Sequence, residues 1–296
     1  MSVQKQSYGG DWTVEKLECV HKYLGAYASI MSKYRFRFAY IDAFAGTGYR
    51  MLRANEKENH VLFPELAAAE TQQFLEGSAR IALKVRPLFD KYIFIEKSQS
   101  RFAELQRLTE EFAALQSRIE LVRADANAYL LDRCENYSWE RHRAVLFLDP
   151  FGMQVSWRTV EAVAKTKAID LWLLFPVGVG VNRLLTRTGK IRASWRRKLD
   201  DIFGADDWFE AFYSTRATPG LFGDECTTEK TGNLDVIGKY FVRRLKTVFA
   251  KVAENPLPLR NSTNSPLFLL CFAAANPTGA ETAVKIAQDI IRKMSK

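Results

Sequence analysis

The stretch Tyr40-Ile41-Asp42-Ala43-Phe44-Ala45-Gly46-Thr47-Gly48 decides the fold. A short apolar run, typical of a buried strand, ends on a carboxylate and continues directly into a turn of small residues. Three further apolar runs also lead into an acid. They are Ile93-Phe94-Ile95-Glu96, Leu121-Val122-Arg123-Ala124-Asp125 and Leu146-Phe147-Leu148-Asp149. We therefore predict four strands that each end at an acidic residue.

Helical patterns separate these strands. Apolar residues recur at helical spacing over 14–31, 77–88, 102–115 and 157–163, and a fifth strand is predicted over 169–175. Alternating strands and helices indicate crossover connections and a parallel sheet. Right-handed crossovers keep the carboxyl ends of the strands at one edge. The predicted fold class is therefore α/β, with a Rossmann-like, mostly parallel sheet.

The chain after the fifth strand divides into two parts. Residues 177–232 contain a run of basic residues and no clear strand, and we interpret them as an inserted helical basic subdomain. The core then comprises residues 1–176 and 233–296. In its second part we expect a helix over about 234–254, an antiparallel strand pair at the sheet edge (258–260 and 267–274) and a closing helix over 279–294. A polar segment, 49–76, is predicted to fold over a ligand.

The composition excludes several classes of protein. Of 296 residues, 47% are hydrophobic, which suits one large domain with an insertion. The four cysteines are widely scattered and no two of the three histidines share metal-ligand spacing, so no metal is expected. No secretory signal pattern begins the chain, and its longest apolar stretch, 267–275, falls short of the ~17–25 residues of a membrane span. We expect a soluble, cytoplasmic protein without a membrane partner.

The acidic strand ends indicate the kind of ligand. In an open parallel sheet, ligands bind just outside the carboxyl ends of the strands. Several acceptors there suit the ribose, adenine and amino groups of S-adenosylmethionine. A dinucleotide would require a third Gly or Ala three residues after Gly48, but that position is Met51. The two-glycine turn still lets backbone approach a ligand closely, because glycine has no Cβ.

Two of the acids receive specific assignments. A carboxylate at Glu96 can accept from both ribose hydroxyls, and the alternative is a surface acid beside Lys97. Asp125 can accept from the adenine amino group while the Ala126 amide faces a ring nitrogen. The alternative for Asp125 is a helix N-cap.

The stretch Asp149-Pro150-Phe151-Gly152 carries the predicted chemistry. Many amino-group methyltransferases place Asp/Asn-Pro-Pro-Tyr/Phe here. The carboxylate of Asp149 and the Pro150 carbonyl would accept the two hydrogens of an amine, and Phe151 would stack on its ring, so that catalysis is mainly orientation. Phe151 replaces the second proline and Gly152 the aromatic residue, which alters the predicted clamp. The alternative is a strand end followed by a turn.

A basic run supplies most of the net charge of +9. Its seven members, with no acid among them, are Arg183, Arg187, Lys190, Arg192, Arg196, Arg197 and Lys198. Localised positive charge favours a polyanionic partner, and we predict contacts with nucleic-acid phosphates. The alternative is a solvated helix face.

Several stretches together resemble the three-Cys-motif partner (TcmP) family. They are Asp11-Trp12-Thr13-Val14-Glu15-Lys16-Leu17, the stretch 40–48, Glu76-Gly77-Ser78-Ala79, Asp149-Pro150-Phe151-Gly152, the stretch 169–176, Val181-Asn182-Arg183 and the stretch 266–272. The resemblance covers nearly the whole chain. It implies an S-adenosylmethionine-dependent methyltransferase of class I fold, encoded beside a three-cysteine, radical-type iron–sulfur protein that becomes an expected partner.

A more distant similarity is to the ribosomal-RNA adenine-N6 methyltransferases, which share the Gly-Ser pair and the acids after the second and third strands. It implies that Ser78, Glu96, Asp125 and Asp149 line the pocket. Lys16 and Trp12 are candidates for the same pocket or for N-terminal packing. The predicted cofactor-binding residues are Asp42, Phe44, Ala45, Gly46, Gly48, Ser78, Glu96, Lys97, Asp125 and Ala126.

These observations predict an enzyme that transfers a methyl group from S-adenosylmethionine to an amine of a nucleic acid or nucleoside. The altered clamp leaves a second hypothesis open. The chain would then be a binding partner of the three-cysteine protein that catalyses nothing alone.

Overall fold

The computed structural model describes residues 11–45, 77–220 and 223–295. Two predicted cofactor residues, Gly46 and Gly48, and the predicted insertion 49–76 lie outside the described residues. Within the described ranges, none of the helices combines the length and the apolar character that crossing a bilayer requires.

The helices in chain order are α1 (Asp11–Met31), α2 (Ser78–Lys84), α3 (Gln99–Glu111), α4 (Ala126–Asn136), α5 (Trp157–Lys165), α6 (Ala193–Phe203), α7 (Trp208–Phe212), α8 (Leu234–Lys246) and α9 (Ala280–Met294). The strands are β1 (Arg37–Asp42), β2 (Lys91–Ile95), β3 (Ile119–Val122), β4 (His142–Leu148), β5 (Ile169–Phe175), β6 (Tyr213–Gly220), β7 (Gly223–Lys230), β8 (Lys251–Val252), β9 (Leu257–Arg260) and β10 (Pro266–Ala274). A π-helical turn, Val177–Val181, follows β5.

The main sheet has the strand order β3-β2-β1-β4-β5-β10-β8, with β9 also paired to β10. The first five strands are parallel, and β10 runs antiparallel to β5, β8 and β9. This confirms the predicted fold class, an α/β fold with a Rossmann-like, mostly parallel sheet. The predicted pairing of β9 with β10 is also confirmed, and the short strands β8 and β9 lie beyond β10.

Helices cover both faces of the sheet, which explains why its strands are continuous apolar runs rather than alternating ones. On one face, residues such as Ile41, Leu146 and Leu171 pack against α4, α5, α6 and α8. On the other, residues such as Tyr40, Phe147 and Trp172 pack against α1, α2 and α9. The sheet is therefore a rigid central layer, and its carboxyl edge has a fixed geometry.

The segment 177–232 differs from the sequence prediction, because it contains strands. Besides α6 and α7, it forms an antiparallel hairpin of β6 and β7. The hairpin is fastened at its base, where the Tyr213 hydroxyl donates to the Thr186 carbonyl (2.8 Å) and the Lys230 amide donates to the Arg187 carbonyl (2.9 Å). Beyond Tyr213, the described side chains of this ribbon are mostly exposed, so its sequence lacks the apolar alternation that reveals a strand. The division into a core and an inserted subdomain stays a prediction.

The other differences concern element ends. Helix α8 ends at Lys246 rather than near residue 254, because Lys251–Val252 pairs with β10 as β8. Helix α2 ends at Lys84 and strand β3 at Val122, three residues before Asp125.

Asp170, a buried acid near the amino end of β5, leads to a testable pH dependence of the stability. Asp170 in β5 accepts a hydrogen bond from the Tyr23 hydroxyl at 2.6 Å. Burial raises the pKa of Asp170 from 3.8 to about 7, although the Tyr23 hydrogen bond and nearby Arg143 oppose the rise. The folded chain therefore binds more protons than the unfolded chain between these values, and the free energy of unfolding falls as the pH rises through them.

We expect Asp170→Asn to remove the contribution of Asp170 to this decrease in the free energy of unfolding. An amide does not titrate, and its oxygen can still accept the hydrogen bond from Tyr23. Urea denaturation at pH 4, 5, 6 and 7 measures the effect. Buried Asp42, whose pKa burial also raises to about 7, keeps its own share in both proteins. Equal pH slopes for the variant and the parent would contradict the prediction.

Candidate functional site

The four predicted acids lie side by side at the carboxyl edge of the sheet. Because β3, β2, β1 and β4 are adjacent and parallel, their carboxyl ends follow one another in that order. Backbone hydrogen bonds continue past the strands, from Glu96 N to Val122 O (3.0 Å) and from Ala45 N to Ile95 O (3.0 Å). The order of the acids along the edge is Asp125, Glu96, Asp42 and Asp149.

Asp42 is the innermost acid and is fully buried. Its carboxylate accepts from the Phe44 amide and the Tyr40 hydroxyl, each at 3.3 Å, and from the Ser78 hydroxyl. Burial raises its pKa to about 7, and the neighbouring carboxylate of Asp149 contributes to the rise. Asp42 thus holds the turn after β1 and the start of α2 together, which places Phe44, Ala45 and Ser78 at this edge.

Glu96 follows β2 and is 6% exposed. Its Oε1 accepts from the Ser98 amide at 2.6 Å, and its Oε2 lies 3.0 Å from Nε of Arg101 on α3. A carboxylate offers about four acceptor sites, so these contacts leave room for ribose hydroxyls. The predicted role of Glu96 toward the ribose stays a prediction, and Arg101 is a neighbour that the sequence analysis did not identify.

Asp125 is a helix N-cap, the alternative considered for it, and its role toward adenine stays a prediction. Its Oδ1 caps α4 by accepting from the Asn127 and Ala128 amides at 3.1 and 3.3 Å, while its Oδ2 accepts from Lys97 at 3.3 Å. Although partial burial raises the pKa of Asp125, these hydrogen bonds hold it below its ordinary value. Oδ2 retains an acceptor site, and Ala126 begins the capped helix.

Asp149 follows β4 and forms an ion pair with Lys16 of α1. The Lys16 side chain is 6% exposed and that of Asp149 is 22% exposed, so the pair is largely shielded from water. The Lys16 ammonium also lies 5.3 Å from the centre of the Trp12 ring. Lys16 therefore reaches the predicted site, and Trp12 contacts it there while packing on Phe268.

The loop after Asp149 presents an aromatic ring. Phe151 is 38% exposed, and the next residue, Gly152, has φ +70°, a conformation that glycine adopts at low cost. Gln154 and Ser156 anchor this loop to Asn127: the Asn127 amide donates to Gln154 O (2.7 Å), and its oxygen accepts from Ser156 N (3.1 Å). The sequence analysis missed Asn127, whose place in the first turn of α4, directly beyond the strand edge, was its only signal.

The seven basic residues are all exposed and begin just beyond this edge. The π-helical turn after β5 lies against the Asp149 loop, since a Cβ at Gly180 would come 3.1 Å from Met153. Arg192 lies over Trp195 (5.2 Å) and Arg196 over Phe209 (5.4 Å). Arg183 lies in a single helical turn, Asn182–Leu184, three of the others lie in the segment between this turn and α6, and the last three lie in the first half of α6. The seven residues therefore do not form one helix face.

Comparisons with known proteins support the fold. No protein-family model matches this sequence, and no curated protein matches it. Protein LPL1258 of Legionella pneumophila, assigned to the family DUF519, is similar in structure with a TM-score of 0.50 and 13% identity, over 97% of this chain and 93% of that one. At this identity the likeness concerns the fold alone.

Two weaker likenesses involve known transferases. Spermidine synthase in complex with the transition-state analogue AdoDATO has a TM-score of 0.36 and 12% identity, over 94% of this chain and 65% of that one. The plantazolicin methyltransferase BamL, in complex with SAH, has a TM-score of 0.35 and 9% identity, over 89% and 85%. TM-scores this low carry neither the activity nor the site residues over to this chain.

The described edge can therefore accept several hydrogen bonds and orient a planar group. It has four acids in a row, a lysine paired to the last of them and a half-exposed phenylalanine beside it. Among the described residues, no group of three or more His, Cys, Asp or Glu side chains is arranged to hold a metal ion.

Proposed function

We propose that this protein binds S-adenosylmethionine at the acidic edge and transfers its methyl group to an amine of a nucleic acid or nucleoside. The observation that carries the proposal is the lateral order Asp125, Glu96, Asp42, Asp149 at the carboxyl ends of adjacent parallel strands, where open α/β sheets bind their ligands.

The residues present fit the cofactor. S-adenosylmethionine brings ribose hydroxyls, an adenine amino group and an α-amino group, all of which are donors, and it supplies an already activated methyl group. The edge offers carboxylate acceptors in return. Glu96 would take the ribose hydroxyls and the free site on Asp125 Oδ2 the adenine amino group. Ser78, held by Asp42, would line the inner wall.

The acceptor side follows from the Asp149 loop. One oxygen of Asp149 contacts Lys16, which leaves the other oxygen and the Pro150 carbonyl to accept the amine hydrogens. These two acceptors would turn the amine lone pair toward the methyl group, and Phe151 would stack on the ring that carries the amine. The ion pair with Lys16 would keep Asp149 in place.

The basic residues suggest how a nucleic acid would approach. They begin beside the Asp149 loop, so a strand whose phosphates lie along 183–198 would present a base to Phe151. Contacts of this kind are independent of sequence and sensitive to salt.

We expect the double variant Arg197→Glu, Lys198→Glu to lower the salt dependence of nucleic-acid binding by about two phosphate contacts and to weaken binding at low salt. Both residues are exposed, and within the described part of the chain neither has an aromatic contact such as that of Arg196. Fluorescence anisotropy with a labelled single-stranded RNA between 50 and 200 mM salt would measure the change. Lys285→Glu, Lys293→Glu on α9 is the matched control with the same charge change, and equal losses in both variants would reject a specific phosphate surface.

Mass spectrometry of nucleosides from cells with and without the gene tests the proposed function. A methylated nucleoside present in one sample alone would identify the acceptor and the methylated atom. No difference in RNA, DNA or free nucleosides would remove the nucleic-acid acceptor from the proposal.

The second candidate is a binding partner of a three-cysteine, radical-type iron–sulfur protein. The Lys16–Asp149 ion pair favours keeping it, because that contact occupies part of the predicted clamp. Calorimetry separates the two candidates. Heat of binding with S-adenosylmethionine supports the enzyme, whereas no heat, together with a stable complex with the three-cysteine protein, supports the partner.

A further inference from the structure

Arg101 touches both halves of the proposed site. It lies in the first turn of α3, and its side chain is one-third exposed. Its Nε is 3.0 Å from Glu96 Oε2, the acid assigned to the ribose. On the other side, its guanidinium carbon lies 5.2 Å from the centre of the Phe151 ring. One side chain thus connects the acid of the cofactor side with the aromatic ring of the acceptor side.

The contact between Arg101 and Glu96 is close, but it does not satisfy the hydrogen-bonding capacity of the arginine. Arg101 Nε is buried and has no well-aligned hydrogen-bond acceptor among the described residues, although Glu96 Oε2 is near. The Ser98 amide already occupies Oε1 of Glu96. Ribose hydroxyls that approach Glu96 would therefore be accommodated beside the guanidinium. A planar guanidinium has five donors in a fixed fork, so new partners at its Glu96 end would reorient the whole plane.

Reorientation of the guanidinium plane would change the contact between Arg101 and the ring of Phe151. Guanidinium and ring are within the range of a cation–π contact, whose strength depends on how the cation faces the ring. Arg101 covers one face of a ring that is 38% exposed. An acceptor that stacks on Phe151 would therefore meet a ring whose position Arg101 helps to set.

We propose that Arg101 is a positioning residue that couples occupancy of the cofactor side to the orientation of Phe151, so that the cofactor binds first and prepares the acceptor side. This inference rests on the proposed function. It makes the contacts of Arg101 with Glu96 and Phe151 part of an ordered binding sequence rather than purely structural contacts. A purely structural pair would be served nearly as well by lysine, which keeps the charge but lacks the planar stacking group.

The test places 4-fluorophenylalanine at position 151 and follows its ¹⁹F signal during titration with S-adenosylhomocysteine. Calorimetry on the same sample measures the affinity. In the otherwise unchanged chain, the signal is expected to shift in step with binding. In Arg101→Lys, the shift is expected to be lost even at a ligand concentration that calorimetry on the same sample shows to be saturating. Arg107→Lys, at an exposed position of the same helix, is the matched control and should retain the shift.

The outcomes distinguish failure of the proposed cofactor from failure of the proposed coupling. No heat with S-adenosylhomocysteine would overturn the proposed cofactor, and the role of Arg101 with it. Heat of binding without any shift at position 151 would overturn the coupling alone. A shift that persists in Arg101→Lys would show that another residue transmits it.

Discussion

Asp149→Ala is expected to lower methyl transfer by about a hundredfold, because misplacing a reacting group by about 1 Å can cost this much. Without the carboxylate, the amine keeps only the Pro150 carbonyl as an acceptor, and its lone pair is no longer aimed at the methyl group. Incorporation of tritiated methyl from S-adenosylmethionine into RNA and DNA from cells lacking the gene measures the loss. Affinity for the cofactor should change little, since Asp149 lies at the far end of the acidic row.

The stability of this variant requires its own control. Lys16 would remain nearly buried without its partner, which destabilises a fold by up to about 3–5 kcal/mol. The double variant Lys16→Met, Asp149→Ala removes both charges and should recover stability while transfer remains low. Asp132→Ala, an exposed acid on α4, is the neutral comparison. If the double variant regained both stability and transfer, Asp149 would be a structural residue and not an orienting one.

Glu96→Ala is expected to weaken binding of S-adenosylmethionine by about 1–3 kcal/mol, the range for removing a charged hydrogen-bond partner. This corresponds to roughly 5- to 150-fold in the dissociation constant. The reason is that both ribose hydroxyls lose their acceptor at a position only 6% exposed, where water cannot replace it fully. Calorimetry with S-adenosylmethionine and with S-adenosylhomocysteine would report the change.

Two companions make this result interpretable. Glu96→Gln keeps the oxygen that accepts from Ser98 and removes only the charge, so it should give an intermediate loss. Glu110→Ala on α3 removes an exposed acid from the same helix and should bind normally. A folded Glu96→Ala protein with unchanged affinity would exclude Glu96 from the cofactor site.

The local patterns of the sequence predicted most of the fold. The bounds of β5 and the acids at the ends of β1, β2 and β4 agree with the structure, since each depends on residues close in the chain. The predictions failed where the pattern was weak. The described side chains of the β6–β7 hairpin are mostly exposed, and α8 ends where the chain turns into β8.

In the candidate site, too, the sequence identified some features and not others. Asp42, Glu96, Asp125 and Asp149 were identifiable because buried strands end at them, and parallel connections bring strand ends together. The contacts that define their chemistry were not identifiable. Lys16 and Asp149 are 133 positions apart, and Asn127 reaches across 27 positions to the loop that carries Phe151.

By itself, the sequence determined a parallel sheet with acids along its carboxyl edge, because the spacing of apolar residues records which backbone is buried. Only the tertiary structure decided that Asp149 pairs with Lys16 and that Glu96 lies beside Arg101. It also decided that Asp42 is fully buried. The physical reason is that the charge state and the free acceptor sites of a carboxylate depend on the groups within a few ångströms of it. In this chain those groups come from α1, α3 and the start of α2, which the fold brings to the same edge.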